Sequence, residues 1–130
     1  MILAIRTDKP EAELYLINNG KFASEIKWEA HRELADTLLM KIKELLESKN
    51  ITNNDVKGII MHTGEGSFTG LRIGTTVANA MAYSLSIPIV AAKGGEWIRS
   101  GLEAIESAKV GDLVVPEYNA EPNITKPKGS

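Results

Sequence analysis

The stretch from His62 to Gly74, HTGEGSFTGLRIG, sets Gly64, Gly66, Gly70 and Gly74 around Ser67, Thr69 and Arg72, directly after an apolar run. Glycines permit a tight turn, and the exposed backbone N–H groups at the start of a following helix can receive an anion. A phosphate site is therefore one reading. The phosphate-loop motif, however, needs Gly-Lys-Ser/Thr, and the dinucleotide fingerprint needs G-x-G-x-x-G. Here the glycines stand at 64, 66 and 70 with no lysine, and Glu65 adds a negative charge where a phosphate would arrive. The other reading is structural: Gly64 and Gly66 turn the chain, Ser67 or Thr69 caps the helix, and Phe68 anchors the loop. Arg72 either braces that loop, contacts a partner's phosphate site, or is a plain surface or buried structural arginine.

Other chemistries fall away. The chain has no cysteine, which removes disulfides, thiolate catalysis and zinc thiolate sites. His31 and His62 are the only histidines, and His31 has no ligand at the i+4 position. Ser67 has no compelling histidine or acidic partner in the sequence. No catalytic residue and no metal-binding set is assigned.

The chain of 130 residues, 43% of them hydrophobic, suffices for one core and is short for two. Fifteen basic and 17 acidic side chains leave a net charge of −2, against a domain that grips nucleic acid by charge alone. No apolar run approaches the roughly 18 residues of a membrane span, so a cytoplasmic protein is expected.

The elements that must position the glycine motif follow from periodicity. MILAI (1–5) reads as a buried strand, ELYLI (13–17) as a second, and Asn19-Gly20 between the second and a third strand has the composition of a two-residue hairpin turn. In the third strand the alternation puts Phe22, Ile26 and Trp28 on one face. From 31 to 48 the period becomes helical, with Leu34, Leu38, Ile42, Leu45 and Leu46 forming a stripe that Leu39 widens. A strand over 56–62, a helix over 69–86 and a strand over 87–92 imply parallel pairing through a crossover helix. A third amphipathic helix over 95–108 carries Trp97, Ile98, Leu102 and Ile105, with Gly101 costing about 1 kcal/mol. Residues 113–115 suggest a last short strand. From 116 to 130 the composition shifts to Pro, Asn, Lys and Glu, read as an extended or disordered tail. Residues 1–115 thus form one α/β lobe with a mixed five-stranded sheet, its three N-terminal strands antiparallel, in the order of a ribonuclease H-like or actin-like lobe.

On the helix after the glycine motif, Gly70, Gly74, Ala78 and Ala82 make a row of small residues at spacing four, where another backbone could come close. Ile73, Val77, Met81 and Leu85 make a bulkier row. Two apolar sides ask for a sheet on one and a helix on the other, the Leu34–Leu46 helix being the candidate. Intradomain packing explains such a layer, and apolar surface left over on it would be a docking face.

GEGSFTGLRIG, with IPIVAAKG after it and MILAIRTD and HRELADTLLMKIKELL before it, resembles the bacterial TsaB (YeaZ) family of tRNA threonylcarbamoyladenosine biosynthesis proteins over roughly residues 1 to 108. The resemblance implies an actin-like but noncatalytic subunit that binds and positions a TsaD-like catalytic subunit, with ATP and metal on that partner and no cofactor here. It implies a possible TsaE-like ATPase in the same complex, tRNA reached only through the complex, and a homodimer in isolation. The contact would be made by the two helices, through Leu34, Leu38, Ile42, Leu45, Gly70, Gly74, Val77, Ala78 and Met81. Departures point the same way: Arg6 stands where the family's first strand commonly ends in an acidic residue, Glu65 replaces a proline, and the usual second lobe is not among these residues. A minimal nucleotide-binding module or ATPase built on the 64–70 loop is the competing reading.

Overall fold

The computed structural model describes residues 1–64 and 68–115. The described residues form the strands β1 (Ile2–Arg6), β2 (Glu11–Asn18), β3 (Lys21–Glu29), β4 (Gly58–His62) and β5 (Ile89–Ala92), and the helices α1 (Leu34–Glu47), α2 (Phe68–Leu85) and α3 (Trp97–Ile105). The sheet order is β3-β2-β1-β4-β5. β1 pairs antiparallel with β2 and β2 with β3, whereas β4 pairs parallel with both β1 and β5. The expected ribonuclease H-like lobe, with its mixed five-stranded sheet, is present.

Strand alternation divides the core in two. Leu3, Ile5, Leu14, Leu16, Ile59 and Met61 face α1 and α2, while Ala4, Ile17 and Ile60 face α3 through Trp97. The β2–β3 turn has Asn19 at φ 53° and Gly20 at φ 80°, the doubly left-handed geometry that selects Asn-Gly.

Four expectations change. The ladder between β2 and β3 shifts register at Leu16/Ile17, so that Leu16 pairs with Ser24 but Ile17 with Phe22. This bulge inverts the alternation, because one extra residue moves every later side chain to the other face. Phe22 therefore lies against Tyr15, at a ring-centroid distance of 5.5 Å, and not on the face of Ile26 and Trp28. Leu39 does not widen the buried stripe of α1 but is 61% exposed. Gly101 is a packing requirement as well as a helix weakness: a Cβ there would collide with Ile60 of β4. Residues 113–115 form no strand; the Asn79 side chain of α2 holds Val114, its amide donating to Val114 O and its carbonyl accepting from Val114 N, both at 2.9 Å. The amide group of one asparagine replaces a strand's ladder at a single residue. The tail expected over 116–130 lies outside the described residues.

Candidate functional site

Ligands of parallel α/β sheets gather at the carboxyl ends of the strands, and there β1 and β4 end in polar residues. Arg6 forks onto Asp8, with Nε donating to Oδ1 at 2.8 Å and Nη2 to Oδ2 at 3.4 Å. The Asp8 side chain is 1% exposed, so this pairing is what allows its charge to be buried. Burial by itself would lower the Arg6 pKa, but the bond to Asp8 and its charge raise it on balance. Next to this pair, Lys9 reaches Glu13 at 2.8 Å and the Tyr15 hydroxyl donates to Glu13 at 2.6 Å. Desolvation works to raise Glu13, yet the bonds from Lys9 and Tyr15 and the charges of Lys9 and Arg6 hold it below the ordinary carboxylate range. Burial and the same Glu13 push the Tyr15 hydroxyl well up.

His62 closes the cluster. Its ring is buried, meets the Trp97 ring edge-on at 5.2 Å and 86°, and takes the Gly64 N–H onto Nδ1 at 3.2 Å. Burial and the Arg6 charge keep it below the ordinary histidine value, against the opposing pull of Asp8 and Glu13. Thr7 Oγ1 donates to Gly70 O at 2.8 Å and so ties the end of β1 to the first turn of α2. Each carboxylate in this cluster is thus answered by a cation of the same chain. Among the described residues no group of three His, Asp or Glu side chains could hold a metal ion.

Of the glycine-motif residues, Gly64 is half-buried, whereas Thr69 and Arg72 are exposed on the first turns of α2. Glu65, Gly66, Ser67 and the Phe68 side chain lie outside the described residues, and with them the choice between turn and phosphate cradle. The residues assigned to a docking face are mostly elsewhere. Leu34, Leu38, Ile42, Leu45, Gly70, Gly74 and Ala78 are buried in the chain's own core. A Cβ on Gly74 would collide with Thr7 Oγ1 and lie 2.8 Å from Met61 Cε, so the small-residue row admits the chain's own β1 and β4. Val77 and Met81 alone of the nine are half-exposed.

Those two residues and the buried Ile42 line a groove of about 670 Å³ between α1 and α2, with Leu39, Lys43 and Leu46 also on the α1 side and Thr76, Ala80, Ser84 and Leu85 on the α2 side. Leu39 and Met40 are more than half exposed on α1. A groove with apolar walls and exposed large side chains on one helix is unusual for a surface that meets only water. Its chemistry is that of contact: the lining is mostly apolar, Lys43 and Glu47 are its charged residues among those described, and the buried Asp8 and Glu13 are not part of it.

Fold and site together define a single actin-like lobe with its strand-end charges paired internally and a helix groove left open. A family model for TsaD, tRNA N6-adenosine threonylcarbamoyltransferase, matches residues 27–110. The chain belongs to this family, and its relatives place it with the TsaB/YeaZ members. The tRNA threonylcarbamoyladenosine biosynthesis protein TsaB of Escherichia coli is 27% identical over 94% of this chain and 56% of its own length. TsaB of Bacillus subtilis is 30% identical over 75% of this chain and 42% of its own. A tRNA N6-adenosine threonylcarbamoyltransferase of Geotalea uraniireducens is 29% identical over 81% and 34%. Among solved structures, YeaZ from Pseudomonas aeruginosa superposes with a TM-score of 0.66 at 27% identity, covering 71% of this chain and 43% of that one. The chain spans about half the length of the curated relatives it matches.

Sequence reasoning missed the roles of His62 and Asn79. A histidine ending a buried strand, two residues before a glycine, signals a ring that must find a local donor or acceptor. Asn79 sits in the half-buried middle of α2, between Ala78 and Ala80, where an amide needs a partner.

Proposed function

We propose that this chain is a noncatalytic partner subunit in the biosynthesis of threonylcarbamoyladenosine in tRNA, docking on a TsaD-like transferase and positioning it. The α1/α2 groove carries this reading, because it presents Leu39, Val77 and Met81 to a partner helix while Leu34, Leu38, Leu45, Gly74 and Ala78 of the same helices are buried in the core. The internal pairing of Arg6 with Asp8 supports the absence of turnover: a cation occupies the strand end where a metal-organising carboxylate would be needed. ATP and metal then belong to the partner, tRNA reaches this chain through the complex, and a TsaE-like ATPase joins the same cytoplasmic assembly. Without the partner, two copies pair through the same groove.

The exposed Ala80 supplies the test. Ala80→Arg puts a charge in the groove without entering the core, so the melting temperature stays within a few degrees while affinity for a TsaD-like protein falls tenfold or more, about 1.4 kcal/mol. Modification of tRNA by the reconstituted pair falls with it. Unchanged affinity with an intact fold would refute docking through this groove, and tight magnesium-dependent ATP binding by the isolated chain in calorimetry would favour a nucleotide-binding module instead.

A further inference from the structure

His62 faces two groups through one nitrogen. Nδ1 accepts the Gly64 N–H at 3.2 Å, and the same atom stands 3.8 Å from Asp8 Oδ1. An imidazole nitrogen that accepts a hydrogen bond carries no proton, so the neutral ring holds its hydrogen on Nε2. We infer that His62 is a two-position latch: neutral, it holds Gly64 and fastens the exit of β4; protonated on Nδ1, it donates to Asp8 and lets Gly64 go. One atom cannot accept from Gly64 and donate to Asp8 together, which makes the two positions exclusive.

The surroundings favour a discrete change over a gradual one. The ring is buried, with Trp97 of α3 edge-on to it, and β5 places Ala92 opposite with no ionisable side chain on that strand. The charged groups acting on it come from β1, β2 and the turn between them: Arg6 and Lys9 oppose the proton, while Asp8 and Glu13 favour it. Proton uptake from solvent converts the N–H···N bond from Gly64 into an N–H···O bond to Asp8 Oδ1, an oxygen that also accepts from Arg6 Nε. Gly64 leads from β4 toward α2, whose first turn is held from the other side by Thr7. Protonation therefore releases the Gly64 N–H while the bond from Thr7 to Gly70 stays.

The test uses the full chain and nitrogen-15 NMR. Near neutral pH the His62 ring is expected to show the proton on Nε2 and an unprotonated Nδ1, with a protected Gly64 amide. On acidification the Gly64 protection factor falls by roughly tenfold or more with the same midpoint as Nδ1 protonation. His62→Gln keeps a side-chain acceptor and removes the pH dependence. A neutral ring with its proton on Nδ1, a Gly64 amide indifferent to His62 titration, or a ring that stays neutral until the chain unfolds would each overturn the latch. These readouts need no partner, so they fail or succeed independently of the docking proposal.

Discussion

The two sides of α2 are built from similar small residues and do opposite things. Gly70, Gly74, Ala78 and Ala82 lie buried, with Gly74 pressed on Thr7 and Met61, whereas Thr76, Ala80 and Ser84 line an open groove. A row of small side chains says that some backbone comes close and does not say whose. The nearest backbone available to α2 is the chain's own sheet, because β1 and β4 lie directly under it. Surface for a partner is then what remains after the sheet has been covered, and the remainder sits one helical step around from the row that catches the eye.

Neighbouring leucines on α1 give the largest effect with which to break this contrast. Leu38 is fully buried and Leu39 is 61% exposed. Leu38→Ala should cost about 2–5 kcal/mol of stability, and Leu39→Ala no more than about 0.5 kcal/mol, read from urea unfolding midpoints at constant slope. Similar losses at the two positions would mean that the groove is closed in solution. The α2 pair is expected to follow with a smaller gap. Gly74→Ala forces a methyl against Thr7, whose hydroxyl is already committed to Gly70, and should cost about 1–3 kcal/mol. Ala80→Arg should leave the fold intact and act on partner affinity alone.

Asn79 sharpens the contrast from another direction, since it is a polar residue on the same helix used for neither sheet nor groove. Asn79→Ala removes both hydrogen bonds to Val114 and should cost about 1–2 kcal/mol, with faster proteolysis near residue 114. If cleavage there is unchanged, Val114 is held by its buried side chain and not by the clasp.

What could be read in advance divides along the range of the interaction. Strand alternation, the Asn19-Gly20 turn and the α1 stripe are local patterns, and the lobe they build was legible because each specifies its own geometry. Phe22 was misplaced because a bulge leaves no composition signal at Leu16/Ile17. Gly74 and Ala78 are buried within the chain itself; a helical row reports spacing, while the identity of the opposing surface is a long-range fact. Arg6 was noticed as a departure from a pattern, but its fork onto Asp8, and the enclosure of His62 between Asp8, Gly64 and Trp97, depend on which strand ends the sheet brings together.

The smallest effects separate the polar cluster by pH, and their signs follow from the two buried groups. His62 is held below its ordinary 6.5, so the folded chain refuses a proton that the unfolded chain accepts. Its contribution is full above 6.5 and is lost as the pH falls from there toward the folded value. Glu13 is held below its ordinary 4.5, so its contribution is also full above that value and is lost as the pH falls through the lower folded one. Stability measured by urea midpoints from about pH 8 to about pH 2 should therefore decline in two windows on the acid side. His62→Gln should erase the upper window and leave the lower, and Glu13→Gln the reverse. A profile flat from about pH 7 to about pH 5 would mean that the His62 ring is as well solvated folded as unfolded, contrary to its burial against Trp97.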